Sequence, residues 1–125
     1  MTAGLAAATA NGVLNIFRGT TYTGISVFVK LHVGDPGAAG TANASAVTTR
    51  NQLTLAAPSG GSAALSALAS YSMTASETIT HFSWWDAASG GTFIASGALT
   101  GAVPVVNGSV LTFNSLTASY TPIAA

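Results

Sequence analysis

The stretch Lys30-Leu31-His32-Val33-Gly34-Asp35-Pro36-Gly37 places a histidine and an aspartate three residues apart at the mouth of a glycine-rich loop. An imidazole beside a carboxylate could serve as base and acid, or supply two ligands to a metal ion. Structural zinc needs four ligands and catalytic zinc three. The only other candidates are His81, Glu77 and Asp86, none at a recognised metal-binding spacing. Nor does an activated nucleophile accompany the pair. There is no G-x-S-x-G elbow, and no motif places a carboxylate behind either histidine. The pairs Gly60-Gly61 and Gly90-Gly91 lack the lysine of a phosphate-binding loop and read as hairpin turns. A simpler chemistry suits Asp35: its side-chain oxygen can accept backbone amide hydrogens after Pro36, the reason Asp favours turns. The expectation is therefore a structural turn of His32, Asp35, Pro36 and Gly37, with no catalytic residue, cofactor or metal.

Little other chemistry is available. The 125 residues carry three cations (Arg18, Lys30, Arg50), three carboxylates (Asp35, Glu77, Asp86) and no cysteine, a charged fraction of 5%. Ordinary soluble domains carry about 25%. Zero formal net charge removes the electrostatic footprint of a nucleic-acid binder. Thr, Ser, Gly and Asn interrupt every apolar run, so no stretch of roughly 20 apolar residues could span a bilayer as a helix. The N-terminal stretch lacks a signal peptide's basic start, so synthesis in the cytoplasm is expected. A neutral surface is poorly soluble when left bare, and coverage by other subunits is the simplest remedy.

The positioning elements follow from periodicity. Gly4 to Phe17 is alanine-rich, and Leu5, Ala8, Val13, Ile16 and Phe17 fall roughly along one helical face, with Gly19 just past the end. Strand patterns occupy the rest. Ile25 to Val33 alternates with period two, and a loop from Ala38 to about Ala46 follows the Gly34–Gly37 turn. Further strands are expected at Gln52–Ala56, Ala64–Met73, Thr78–Trp85 and Thr92–Leu99. Val103–Val106 and Val110–Phe113 flank Asn107-Gly108, a strong hairpin signal, and a last strand runs from about Leu116 to Tyr120. The reading is one domain over 1–125, a helical segment over 1–19 followed by an all-β antiparallel sandwich or barrel over 20–125. Within it, Trp84-Trp85 must send its two indoles to opposite faces of a strand. One suits the core and the other an interface, where Trp is enriched.

Several separated stretches resemble a family of small tailed-phage virion proteins variously labelled tail fibre, minor tail or minor capsid proteins. They are Ile16-Phe17-Arg18-Gly19-Thr20, Leu31-His32 leading through two residues to Asp35-Pro36-Gly37, Arg50 before a strand and the Ala57–Gly61 turn, and Thr80-His81 entering the Trp85–Leu99 segment "WDAASGGTFIASGAL". Val33-Gly34 stands where the family usually has threonine-alanine. The C-terminal third matches only in general character. The resemblance implies virion architecture without catalysis, with His32 and Asp35 held for shape. The favoured expectation is a capsid decoration or minor capsid protein that binds the major capsid protein as a homotrimer. Its interface would draw on Trp84 and Trp85, or on Ile16 and Phe17 of the helix. The alternatives are a minor tail or tail-fibre protein in host contact, and a carbohydrate-binding module using Trp84 or Trp85.

Overall fold

A computed structural model describes residues 4–21 and 24–119. One helix, α1 (Ala7–Phe17), precedes eight strands: β1 (Val27–His32), β2 (Asn51–Leu55), β3 (Ser62–Leu68), β4 (Tyr71–Ser72), β5 (Glu77–Trp85), β6 (Phe93–Val105), β7 (Val110–Leu111) and β8 (Thr117–Ser119). Six strands form one sheet in the order β6-β5-β1-β2-β3-β8, and β4 and β7 pair separately. The sheet is antiparallel and curls into a half-barrel, an all-β fold with a short N-terminal helix.

Strand alternation decides what lies on each face. Val29 and Leu31 of β1 point to one side with Phe82 and Trp84, their partners on β5. At one end of that side Leu31, Val47, Tyr71, Met73, Ile79 and Val105 form the main buried cluster, flanked by Leu99, Val103, Leu111 and Phe113. The β4–β7 pair thus supplies a second layer over the sheet. Tyr71 fixes it in place: its ring meets Phe113 edge-on, and its hydroxyl donates to the Val29 carbonyl at 2.5 Å. Burial pushes the Tyr71 phenol up to about 12, so it remains a donor across the physiological range.

Three strand expectations differ from the structure. The alternation from Ala64 to Met73 is broken after Leu68, and Tyr71 and Met73 leave the main sheet for the second layer. Asn51 holds the break open by donating its side-chain amide to the carbonyls of Ala69 and Ser70. Conversely, Phe93–Val105 is one strand, where separate strands at Thr92–Leu99 and Val103–Val106 are expected from the sequence. It stays paired with β5 by bulging. β6 advances five residues from Ala98 to Val103 while β5 retreats only two, from His81 to Ile79. Asn107-Gly108 does turn the chain, but Val110 and Leu111 then pair with Ser72 and Tyr71 rather than with Val103–Val106. The last expected strand is present at Thr117–Ser119, and Tyr120 lies outside the described residues.

The helix is the other surprise. α1 has no buried residue, and Leu14, Ile16 and Phe17 are 61%, 52% and 85% exposed. Only its start is tied down. The Ala6 amide donates to the Ile94 carbonyl, the Ser96 amide to Gly4, and Thr9 Oγ1 to Ile94, stitching residues 4–9 along the edge of β6. No described helix is long and apolar enough to cross a membrane.

Candidate functional site: a buried His-Ser-Trp chain and its cationic rim

The opposite face of β1 carries Phe28, Lys30 and His32, which face Trp85, Ser83 and His81 of β5 in register. After His32 the chain turns back over its own strand. Asp35 Oδ1 accepts the Gly37 amide at 2.8 Å, the Ala42 amide donates to the Pro36 carbonyl, and the Val33 amide to Asn43. Asn43 takes a positive φ of 52° and returns its side-chain amide to the Asp35 carbonyl. The loop so closed lies over the imidazole, and His32 is fully buried.

Both ring nitrogens of His32 are satisfied. Nδ1–H donates to the Ala42 carbonyl at 2.8 Å, an acceptor that fixes the tautomer and leaves Nε2 to accept from Ser83 Oγ at 2.7 Å. Ser83 Oγ in turn accepts the Trp85 indole N–H at 2.8 Å. One hydroxyl therefore links two rings in a chain running Trp85 to Ser83 to His32 to Ala42. Burial pushes the His32 pKa down, and nearby Lys30 and His81 add to the depression while the Ala42 hydrogen bond opposes it. The imidazole is held neutral.

Ser83 and His32 are at the separation of a nucleophile and its base. Both side chains are fully buried, the hydroxyl is capped by the indole, and Nδ1 faces a backbone carbonyl where a catalytic pair would have an orienting carboxylate. A substrate carbonyl has no approach to either atom. The arrangement pins the loop to the sheet. Among the described residues no three His, Asp or Glu side chains converge as a metal site.

The adjacent indoles are now distinguishable. Trp85 is 7% exposed, packed against Phe93 at 5.5 Å between centroids and covered by the Arg50 guanidinium at 4.1 Å. Trp84 lies half-buried on the other face beside Phe82, and its Nε1, also buried, has no partner among the described residues. Neither presents the flat exposed ring of a sugar platform. Gly40 packs so closely on Phe93 that a Cβ there would sit 2.4 Å from the ring. Loop, Phe93, Trp85 and Arg50 thus form one stack.

Arg50 completes the rim. Its Nη1 donates to the carbonyls of Ala87 at 3.1 Å and Gly90 at 2.7 Å, anchoring the loop between β5 and β6. Asp86 closes that loop from within by accepting the Thr92 amide at 2.6 Å. Glu77 is used likewise, accepting from the Ser45 hydroxyl and from the Ala46 amide. The sequence singles out His32 and Asp35 but misses Ser83, which brings His32 and Trp85 together, and gives Arg50 no structural task. Ser83 does stand two residues before Trp85 in a period-two strand, which places both on one face. That it also meets His32, 51 positions away, depends on strand register.

One family profile, described as podophage GP4 fiber I protein gp80, matches residues 4–121 of this chain. No curated protein matches.

Proposed function

Because this chain belongs to the podophage GP4 fiber I protein family, and is thereby a structural component of the phage virion, we propose that it is a minor tail or tail-fibre protein that takes part in host contact. The observation that carries this reading is a family match running from Gly4 to Thr121, nearly the whole chain. It favours the tail over the capsid decoration role that composition and compactness suggest. The role is architectural and non-enzymatic, which agrees with a Ser83–His32 pair shut away from any substrate.

A homotrimer remains our proposal for its assembly, with the interface moved to α1. Trp85 is spent inside the subunit, whereas Leu14, Ile16 and Phe17 are exposed on a helix without a charged residue. Packing like helices together covers them, and such oligomers normally close with point symmetry. Sedimentation of the recombinant chain should give a trimer that Phe17→Ser converts to monomer. The tail assignment is tested by separating heads from tails and assaying each for the chain. Recovery with the tail fraction supports the reading, and recovery with the heads returns the protein to the capsid.

A further inference from the structure

This chain uses its few charges unevenly. All three side-chain carboxylates are engaged within the subunit: Asp35 on the Gly37 amide, Glu77 on Ser45 and Ala46, and Asp86 on the Thr92 amide. The hydrogen bonds of Arg18 and Arg50 go to an amide oxygen and to backbone carbonyls, none to a carboxylate. Two of the three cations also fall side by side. The β1–β2 ladder ends with Val29 paired to Asn51, and Lys30 and Arg50 are the residues that come next on each chain, just past its end. Lys30 carries the mark of that neighbour, its pKa depressed first by burial and then by the positive charge of Arg50. Like charges directly opposite each other in a sheet are unfavourable. In a chain with so few charges, such a pair calls for a counter-ion.

Arg50 is also prepared to receive one. Nη1 is occupied by two carbonyls and the guanidinium plane lies on Trp85. Of the five N–H donors of an arginine, the Nε–H and both Nη2–H have no acceptor among the described residues. That edge is suited to bidentate binding of a carboxylate or phosphate, and the stack beneath it removes much of the entropy cost of holding it still. Asp86 is the one carboxylate near enough to influence Arg50, which leaves Lys30, Arg50 and Asp86 with one net positive charge. His81, on the same face across from His32, adds a further polar group.

We propose that Lys30 and the free edge of Arg50 form a binding site for an acidic saccharide, whose carboxylate or phosphate bridges the two cations. A second copy of this chain is a poor source of the anion, since its side-chain carboxylates are engaged in the same internal hydrogen bonds. This rests on the tail-fibre reading only for the biological source, a charged glycan on the host surface, and the contact is made by charge without a tryptophan platform.

The test is an NMR titration of the isotope-labelled full chain at constant ionic strength with galacturonate, glucose 6-phosphate, galactose and inorganic phosphate. The Arg50 Nε–H and Trp85 indole resonances should shift saturably with galacturonate and glucose 6-phosphate, and stay still with galactose. Lys30→Gln should weaken both acidic sugars at least tenfold with an unchanged melting temperature. Arg50→Lys, which keeps the charge and loses the fork, should weaken them similarly. Failure of both acidic sugars to saturate, equal binding by Lys30→Gln, or binding of inorganic phosphate alone would each overturn the proposal. A chain found on the tail that binds neither sugar sinks this inference alone. A chain found on the capsid that binds them sinks the tail reading alone.

Discussion

Removing one oxygen atom, in Ser83→Ala, should cost this fold more than any exposed substitution. The hydroxyl accepts from Trp85 Nε1 at 2.8 Å and donates to His32 Nε2 at 2.7 Å, and Ser83 and His32 are fully buried. Its loss orphans a donor and an acceptor together. Each buried unsatisfied group costs about 1–3 kcal/mol, so the variant should lose roughly 2–6 kcal/mol, a large part of the roughly 5–15 kcal/mol expected of a folded domain. Urea denaturation at pH 7.5, followed by far-ultraviolet circular dichroism, should show the midpoint falling by roughly 1–3 M with the slope unchanged. Ser66→Ala, exposed on β3, is the control and should lie within about 0.5 kcal/mol of the parent. A double-mutant cycle with His32→Leu separates the link from mere packing. Deleting the imidazole removes one of the two orphans, so Ser83→Ala should cost less in that background, with a coupling of about 0.5–3 kcal/mol. A single-mutant loss under about 0.5 kcal/mol, or strictly additive losses, would refute the reasoning.

Acid should act on the same chain of hydrogen bonds. The folded-state pKa of His32 is depressed, so below about 6.5 the unfolded chain binds a proton that the folded one resists. Stability should therefore fall as pH drops below about 6.5, by up to about 1.4 kcal/mol per pH unit, and the slope attributable to His32 should vanish in His32→Leu. Asp35→Ala should cost about 0.5–2 kcal/mol in chemical denaturation by analogy with a lost cap, and Asp35→Asn much less because its amide oxygen can still accept from Gly37. Gly40→Ala must place a methyl 2.4 Å from Phe93 at a φ of +73°. Left-handed strain of about 1–2 kcal/mol joined to overpacking of about 1–3 kcal/mol should lower stability by roughly 2–5 kcal/mol, with Trp85 fluorescence reporting the disturbed stack.

The elements legible in the sequence are those whose pattern and surroundings agree. Val27 to His32 alternates apolar with mixed residues because its two faces meet different layers, and Gly34 to Gly37 can only turn. What the pattern hides is pairing. Ala64 to Met73 alternates without interruption, yet the strand breaks after Leu68 because Tyr71 finds the Val29 carbonyl and Phe113 in a second layer. β6 reads as two strands because the residues around Gly101 bulge and lose the alternation, although the ladder with β5 resumes at Val103. The apolar positions of α1 suggest a buried face, but periodicity records only that a face is apolar. Within the subunit that face stays exposed. At the site, the turn at Asp35 follows from local chemistry alone. The meeting of His32 with Ser83, like the approach of Arg50 to Trp85, depends on strand registers that no short stretch specifies.

The central claim, a fibre-family virion protein carried on the tail, is tested most directly by reconstructing intact particles, head and tail together without imposed capsid symmetry, by electron cryo-microscopy. The account predicts density for the half-barrel, with α1 at a contact between copies, in the tail assembly and absent from the capsid shell. Half-barrels distributed over the capsid lattice, and none on the tail, would contradict it.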